Sequence, residues 1–265
     1  RRRTGSATAR QRRGYFVPST INYLLTLEAE TLIRDYLSEV GRSRFIIEDD
    51  ESSRLGRMAT FIRKLLDMES SVIIRFGEPL DPFGNAVDDA GDSFDRRGRR
   101  VEPASYVRDA DGNVVLDAAR DAQYTRELGE EIVKSYLQNT VIMATQVVAA
   151  ACFARLRKGS PRNDLFTVLR QRDAIVVPRD ELAADVRHLK EQLGEMEARG
   201  EIRCGDFVRS ASGGDLVERA LRAFAGYHSE PVMTPRRDGI ALQDPNLLFY
   251  YQNRLAAHRL GGDVL

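Results

Sequence analysis

The sequence has no tryptophan, only two cysteines and only three histidines among its 265 residues. Two thiols, Cys152 and Cys204, are too few for a disulfide framework or a four-ligand zinc site, so a reducing compartment is expected. Forty basic and forty acidic side chains give a formal net charge of zero, which excludes an overall field that attracts nucleic acid or membrane. No apolar run reaches the roughly 18 to 20 residues of a membrane-spanning helix.

The remaining composition is that of a folded protein. Apolar residues make up 42% of the chain and charged residues 30%, a balance that excludes a wholly disordered chain. The length suits one large domain or two modest ones. Short apolar segments predict strands mainly before residue 117, and helical periodicity dominates after it. We therefore expect an α/β segment at residues 1–116 and a mostly helical region at 117–265, with no internal repeat.

Local patterns predict the main elements. Strands are expected at residues 15–23 and 70–76, an ordered surface loop at 81–100, and a hairpin around Asp111 and Gly112. Helices are expected at residues 24–40, 121–157, 179–199, 215–227 and 246–255. The pattern leaves open whether residues 121–157 form one helix or two.

Familiar catalytic and metal motifs are missing. The sequence contains no Gly-x-Gly-x-x-Gly or Walker-type loop and no Gly-x-Ser-x-Gly elbow. Asp88, Asp89, Asp92 and Asp95 form an acidic cluster without the glycine register of a calcium-binding loop, so solvated turns are expected there. We expect neither a metal ion nor a cofactor.

The histidines offer little chemistry. His228 follows a predicted helix end, where a protonated imidazole would offset the helix dipole. His258 and Asp263 formally spell His-x4-Asp, a spacing suited to a base and its orienting carboxylate. Because this pair lies on a Gly-Gly tail at the end of the sequence, we interpret the spacing as a coincidence.

The first 13 residues carry six arginines and no acid. Such a run is typical of a solvated arm, and its alternative interpretation is a phosphate site, because the planar guanidinium group matches phosphate oxygens. Residues 1–5 read Arg-Arg-Arg-Thr-Gly, and Val17 and Pro18 directly precede Ser-Thr-Ile-Asn-Tyr. These two segments resemble the third and fourth of four ordered motif blocks in the bacterial glycerol-3-phosphate acyltransferases, within the phospholipid/glycerol acyltransferase superfamily. Further similar stretches lie at residues 47–51, 75–85, 124–129 and 246–255.

The resemblance implies a specific reaction. In that family a block-one histidine, oriented by an aspartate, deprotonates the glycerol hydroxyl, and the alkoxide attacks an acyl thioester on coenzyme A or acyl carrier protein to give lysophosphatidate. Third-block arginines hold the substrate phosphate, and Arg1 and Arg3 correspond to them here. The implied partners are acyl-CoA or acyl carrier protein, glycerol-3-phosphate and an anionic membrane surface, but no nucleic acid. The implied location is peripheral, at the cytoplasmic face of the cell membrane.

The chain also departs from the family pattern. The first two blocks and the Glu-Gly opening of the third have no counterpart, and Arg2 stands where a serine is usual. We therefore expect the catalytic residues upstream of Arg1. The chain is expected to be the C-terminal part of a glycerol-3-phosphate O-acyltransferase, with the second half of its α/β domain at residues 1–116, and to be inactive alone.

An alternative is a nucleic-acid-binding module. Residues 179–208 are predicted as helix, short strand and helix, an order loosely like a winged helix, and the basic arm could follow phosphates. The first of these helices carries Glu191, Glu195 and Glu197, which would repel a nucleic acid backbone.

Overall fold

The computed structural model describes residues 14–41, 71–159, 165–170, 174–256 and 258. Within these ranges helices alternate with small sheets, so the predicted α/β class is confirmed at this coarse level. The strands are β1 (Ser19–Tyr23), β2 (Val72–Phe76), β3 (Ala86–Val87), β4 (Ser93–Phe94), β5 (Arg100–Val101), β6 (Val141–Ile142), β7 (Ile175–Val177), β8 (Arg203–Cys204), β9 (Met233–Arg236) and β10 (Gly239–Leu242).

The helices fall mostly in the second half of the chain. They are α1 (Ala29–Gly41), α2 (Ala118–Asn139), α3 (Ala144–Gly159), α4 (Leu165–Leu169), α5 (Arg179–Ala198), α6 (Asp206–Ser210), α7 (Gly213–Tyr227) and α8 (Pro245–Ala256). A 3₁₀ helix spans Pro103–Val107.

The chain divides into two compact units. One unit contains the described residues of 1–20 together with 75–139, and the other contains those of 21–74 and 140–265. The sequence-based division between residues 116 and 117 stays a prediction.

The first unit contains an antiparallel meander of very short strands. β3, β4 and β5 pair in that order, and bridges from Leu80 to Phe16 and to Ala86 extend the ladder. The surface loop expected at residues 81–100 is therefore a small sheet. Strands of two residues are too short to show an alternating pattern, which is why the sequence did not predict them.

One turn construction is repeated four times in this unit. Asp81, Asp88, Asp95 and Asp109 each accept two backbone N–H bonds, from the residues two and four positions later. The residue three positions later is in every case a glycine with a φ between 74° and 83°. A side-chain acceptor and a left-handed glycine together close a tight hairpin. The expectation that the chain has no internal repeat is wrong for this segment.

An aromatic cluster joins the meander to α2. Phe83 stacks on Tyr106 with ring centroids 4.7 Å apart, and Tyr124 meets both rings edge-on. Such offset and edge-to-face pairs add to the stabilisation from burial. Tyr124 is half-buried on the side of α2 that meets these rings.

The second unit is built around α3. Eleven of its residues are buried, so it is an interior helix that is apolar on nearly all sides. The predicted segment 121–157 is two helices, α2 and α3, because Val141 and Ile142 between them form β6 and pair in parallel with β8. The core around α3 draws on α5, α7 and α8.

A second sheet in this unit has the order β7-β10-β9, with both pairs antiparallel. All four residues of β10 are buried, as expected for the central strand of a covered sheet. Helix α7, which precedes the β9–β10 hairpin, begins at a capping box in which Ser212 and Asp215 satisfy each other's backbone N–H groups, a strong local start signal.

Candidate functional site

Of the predicted site residues, the structure describes Val17 and Pro18, whereas Arg1 and Arg3 lie outside the described residues. Val17 is half exposed and Pro18 is buried immediately before β1. The Pro18 carbonyl accepts a hydrogen bond from the Gly77 N–H at 2.7 Å. Proline has no backbone N–H to donate to a sheet and is therefore tolerated at the start of a strand. Val17 and Pro18 form the segment that leads into β1.

The acidic cluster has a structural explanation. Asp88 and Asp95 are the acceptors of two hairpin turns, and Arg99 and Arg100 pair with Asp95 and Asp92. In the part of the chain that the structure describes, no group of three or more histidine, cysteine, aspartate or glutamate side chains could hold a metal ion. The turns expected at these positions are present.

Neither cysteine is placed as a nucleophile. Cys152 and Cys204 are buried free thiols, and burial raises the pKa of both, that of Cys204 to about 12. A thiol becomes nucleophilic only when its pKa is lowered. Both cysteines are therefore core residues.

His258 is half-buried, and its predicted partner Asp263 lies outside the described residues. Burial lowers the pKa of His258, while Glu201 acts in the opposite direction. Among the described residues, the carboxylate that acts on His258 is that of Glu201.

A buried polar cluster surrounds His228 in the second unit. His228 Nε2 lies 3.1 Å from the Tyr251 hydroxyl, and its Nδ1 lies 3.6 Å from Glu30. The Tyr251 hydroxyl also accepts a hydrogen bond from the Thr26 N–H at 3.0 Å, and Ser229 donates two bonds to Glu30. These contacts tie α1, α7 and α8 together.

Burial lowers the pKa of His228, although Glu30 and Asp244 oppose the shift, so the imidazole is neutral near pH 7. A protonated imidazole at this helix end is disfavoured, because desolvation outweighs the favourable charges. The sequence carried no signal that three distant segments would enclose this side chain.

The protein should lose stability as the pH falls below about 6.5. A lowered folded-state pKa means that the unfolded chain binds more protons in this range, so the stability present above the ordinary histidine pKa of about 6.5 is lost on acidification. We expect His228→Gln to flatten this dependence in urea unfolding at several pH values. The exposed His188→Gln is the matched control. If the free energy of unfolding of His228→Gln fell with pH as steeply as that of the parent protein, His228 would not be the cause of this pH dependence.

Beside this cluster lies a polar cavity of about 270 Å³. Its wall includes Tyr23, Thr26, Gln146, Asn253 and Arg254. Gln146 is fixed because its side chain accepts from the Met143 N–H and donates to the Tyr23 carbonyl. Arg254 is exposed, and its guanidinium pairs with no carboxylate among the described residues.

A second cavity, of about 350 Å³, adjoins the first along α8. Leu32, Ile33, Tyr36, Leu169 and Phe249 make most of its wall. Tyr250 and Asn253 line both cavities, so the two share part of their wall on α8. The pair of cavities is named here the α8 groove, with a polar and an apolar part. The sequence predicted only a helix at residues 246–255 and gave no indication of this groove.

Two further observations bear on function. Among the described helices, none has both the length and the apolarity needed to cross a bilayer. The chain matches no protein-family model, no curated protein and no solved structure.

Proposed function

We propose that this chain is the C-terminal part of a glycerol-3-phosphate O-acyltransferase of phospholipid synthesis, acting peripherally at the cytoplasmic face of the membrane. Such an enzyme moves a fatty acyl group from acyl-CoA or acyl carrier protein to the hydroxyl of glycerol-3-phosphate. The observation that carries the proposal is the position of Val17 and Pro18 directly before β1, since the resembled family has a Val-Pro pair before a strand in its fourth block.

The outer face of this strand gives further support. Ile21 and Tyr23 on β1 and Val72 and Ile74 on β2 are between 38% and 56% exposed, and the two strands form a sheet of their own. A contiguous apolar face on a sheet is ordinarily covered by another layer. The missing part of an α/β domain would supply that cover.

In the proposed reaction this chain contributes phosphate binding. Arg1 and Arg3 would hold the dianionic phosphate of the acceptor, for which fixed guanidinium groups are well suited. A histidine base upstream of Arg1 takes the proton of the acceptor hydroxyl, the oxygen forms an ester bond with the thioester carbonyl carbon, and the carbon–sulfur bond breaks to release the carrier thiol. No cofactor is required for this balance.

The test uses the protein expressed together with the residues that its gene encodes directly upstream of Arg1. We expect transfer from palmitoyl-CoA to glycerol-3-phosphate, with lysophosphatidate detected by mass spectrometry. The double variant Arg1→Ala, Arg3→Ala should lower kcat/KM for glycerol-3-phosphate by at least about 100-fold, because each of the two charged hydrogen bonds contributes about 1.5–3 kcal/mol. Arg10→Ala, Arg12→Ala is the matched control and should change kcat/KM little. An absence of transfer, or equal losses in both double variants, would overturn the proposal.

A second candidate, a nucleic-acid-binding module, gains support from one observation. The second unit places α5 and α7 before the β9–β10 hairpin, and the sheet order β7-β10-β9 resembles a winged-helix arrangement. Arg236 and Arg237 are exposed beside the hairpin turn. Against it, α7 carries Asp215 and Glu218 among its arginines. Duplex DNA retained at about 0.15 M salt, with a steep salt dependence, would favour this candidate.

A further inference from the structure

We propose that the chain forms a two-fold dimer in which β2 of one copy pairs edge to edge with β2 of a second copy. The two β2 strands run antiparallel, so the two-stranded sheets of both copies join into one sheet of four strands. This interface is independent of the proposed acyl transfer, since Arg1, Arg3 and the upstream base are not part of it.

The hydrogen bonds between β1 and β2 show which backbone groups of β2 are already used. The Ser71 carbonyl, directly before β2, accepts the Leu24 N–H at 2.9 Å. The Gly77 N–H, directly after β2, donates to the Pro18 carbonyl at 2.7 Å. Residue numbers therefore rise along one strand as they fall along the other, which makes the pair antiparallel. In such a pair successive residues direct their backbone groups to opposite sides, so the odd-numbered residues of β2 face β1.

Three residues of β2 consequently turn their N–H and C=O groups away from β1, namely Val72, Ile74 and Phe76. Within the described ranges, β1 is the one strand that pairs with β2. The three side chains are 52%, 56% and 70% exposed. The strand reads Val-Ile-Ile-Arg-Phe, without the proline or lysine that commonly protects a free edge. Such an edge accepts a further strand through its main-chain groups.

A second copy of the chain supplies a matching strand. With a two-fold axis at Ile74, each copy presents the same three N–H and three C=O groups, and all of them are paired. Ile74 then lies opposite Ile74 of the second copy and Val72 lies opposite Phe76, which are favourable cross-strand pairs. Arg75, the one charged residue of the strand, donates to Asn139 and has its side chain on the other face. No like charges therefore meet across the axis.

The far edge of this small sheet is already covered. The Tyr23 carbonyl accepts a hydrogen bond from Gln146 at 3.4 Å, and the Asn22 side chain accepts the Val141 N–H at 2.9 Å. These contacts place β6 and the start of α3 beside β1, which leaves β2 as the free edge. With one free edge in each copy, pairing closes at two copies and does not continue into a fibre.

The experiment is sedimentation velocity of the 265-residue chain over a range of concentrations. A pair of five-residue strands buries less than the roughly 1,200–2,000 Å² of a stable interface, so we expect a reversible dimer with a Kd of about 10–100 μM. Ile74→Lys places two ammonium groups opposite each other and should raise the Kd at least about 10-fold. Added salt should reverse part of this loss, because it screens the repulsion.

The matched control is Ile21→Lys. Ile21 is 45% exposed and lies on the same apolar face as Ile74, but on β1. The control adds the same charge to the same face without placing it at the free edge, so the Kd should change by less than about 2-fold. Both positions are exposed, and both variants should therefore keep the stability of the parent chain.

Amide exchange of the parent chain, followed by NMR, requires no variant. The N–H groups of Val72, Ile74 and Phe76 gain an acceptor only in the dimer, so their exchange should slow at least about 2-fold between about 10 and 200 μM chain. The Ile73 N–H faces β1 in the monomer and in the dimer, and its exchange serves as the internal control.

Three results would overturn the dimer: a monomer throughout this concentration range, equal losses in Ile74→Lys and Ile21→Lys, or exchange at Ile74 that does not depend on concentration. Equal losses in the two variants would mean that the copies meet through the apolar face of the sheet and not through the edge of β2. Acyl transfer by a monomer contradicts only the dimer, and a dimer without acyl transfer contradicts only the proposed function.

Discussion

Replacement of Asn22 by leucine will lower the free energy of unfolding by about 2–4 kcal/mol. Asn22 is 1% exposed. Its Oδ1 accepts a hydrogen bond from the Val141 N–H at 2.9 Å, and its Nδ2 donates to the Ile73 carbonyl at 3.2 Å. Leucine keeps the volume but leaves two backbone groups without these partners, and a buried polar group left unpaired costs about 1–3 kcal/mol. Urea unfolding near neutral pH measures the difference.

The matched control is Gln123→Leu on the exposed side of α2, where the lost partners are the side chains of Glu127 and Arg126. This change should alter the free energy of unfolding by less than about 0.5 kcal/mol. An Asn22→Leu protein as stable as the control would show that its hydrogen bonds contribute nothing net. The expected loss assigns Asn22 a structural role, since both ends of its amide are engaged by backbone groups.

The sequence predicted the long amphipathic helices closely. Residues 179–199 were expected as a helix, and α5 spans Arg179–Ala198. Residues 246–255 were expected as a helix, and α8 spans Pro245–Ala256. Helical periodicity is a property of neighbouring residues and needs no tertiary information.

The break between α2 and α3 depends on distant residues. Val141 and Ile142 continue an apolar run that would suit a helix interior, but they pair with Arg203 and Cys204. The pattern of neighbouring residues does not indicate a parallel strand partner that lies about 60 residues away in the sequence. The local pattern alone therefore does not decide between one helix and two.

The repeated hairpin turns can be predicted from the sequence. Asp81, Asp88 and Asp95 recur at intervals of seven residues, each followed by a glycine three positions later. The cluster was interpreted through calcium ligands, which need a different glycine register. Asp-x-x-Gly as a turn signal would have predicted the meander.

The α8 groove could not be predicted from the sequence. The walls of its apolar part come from α1, α4 and α8, and each helix shows only an apolar stripe, which ordinarily predicts core packing. Tyr36 and Leu32 remain exposed because the groove lies open between these helices.

Replacement of Gly239 by alanine will destabilise the second unit by about 3 kcal/mol or more. Gly239 has a φ of 155°, a conformation that side chains of L-amino acids avoid at a cost of about 1–3 kcal/mol. A Cβ atom there would lie 2.2 Å from the Val177 carbonyl oxygen and 2.7 Å from its carbon. Both are backbone atoms of the paired strand β7, so no rotamer change can relieve the contact, and β10 must move away from β7.

Gly194→Ala on α5 is the matched control for this substitution. Its added Cβ would meet no heavy atom within 4 Å, and alanine in a helix is favoured over glycine by about 0.5–1 kcal/mol. The two variants should therefore shift the urea midpoint in opposite directions. Equal midpoints for Gly239→Ala and the parent protein would mean that β10 and β7 are farther apart than the register Ile240 to Val177 requires. The loss should also appear as reduced amide protection of β10, because its buried residues depend on both neighbouring strands.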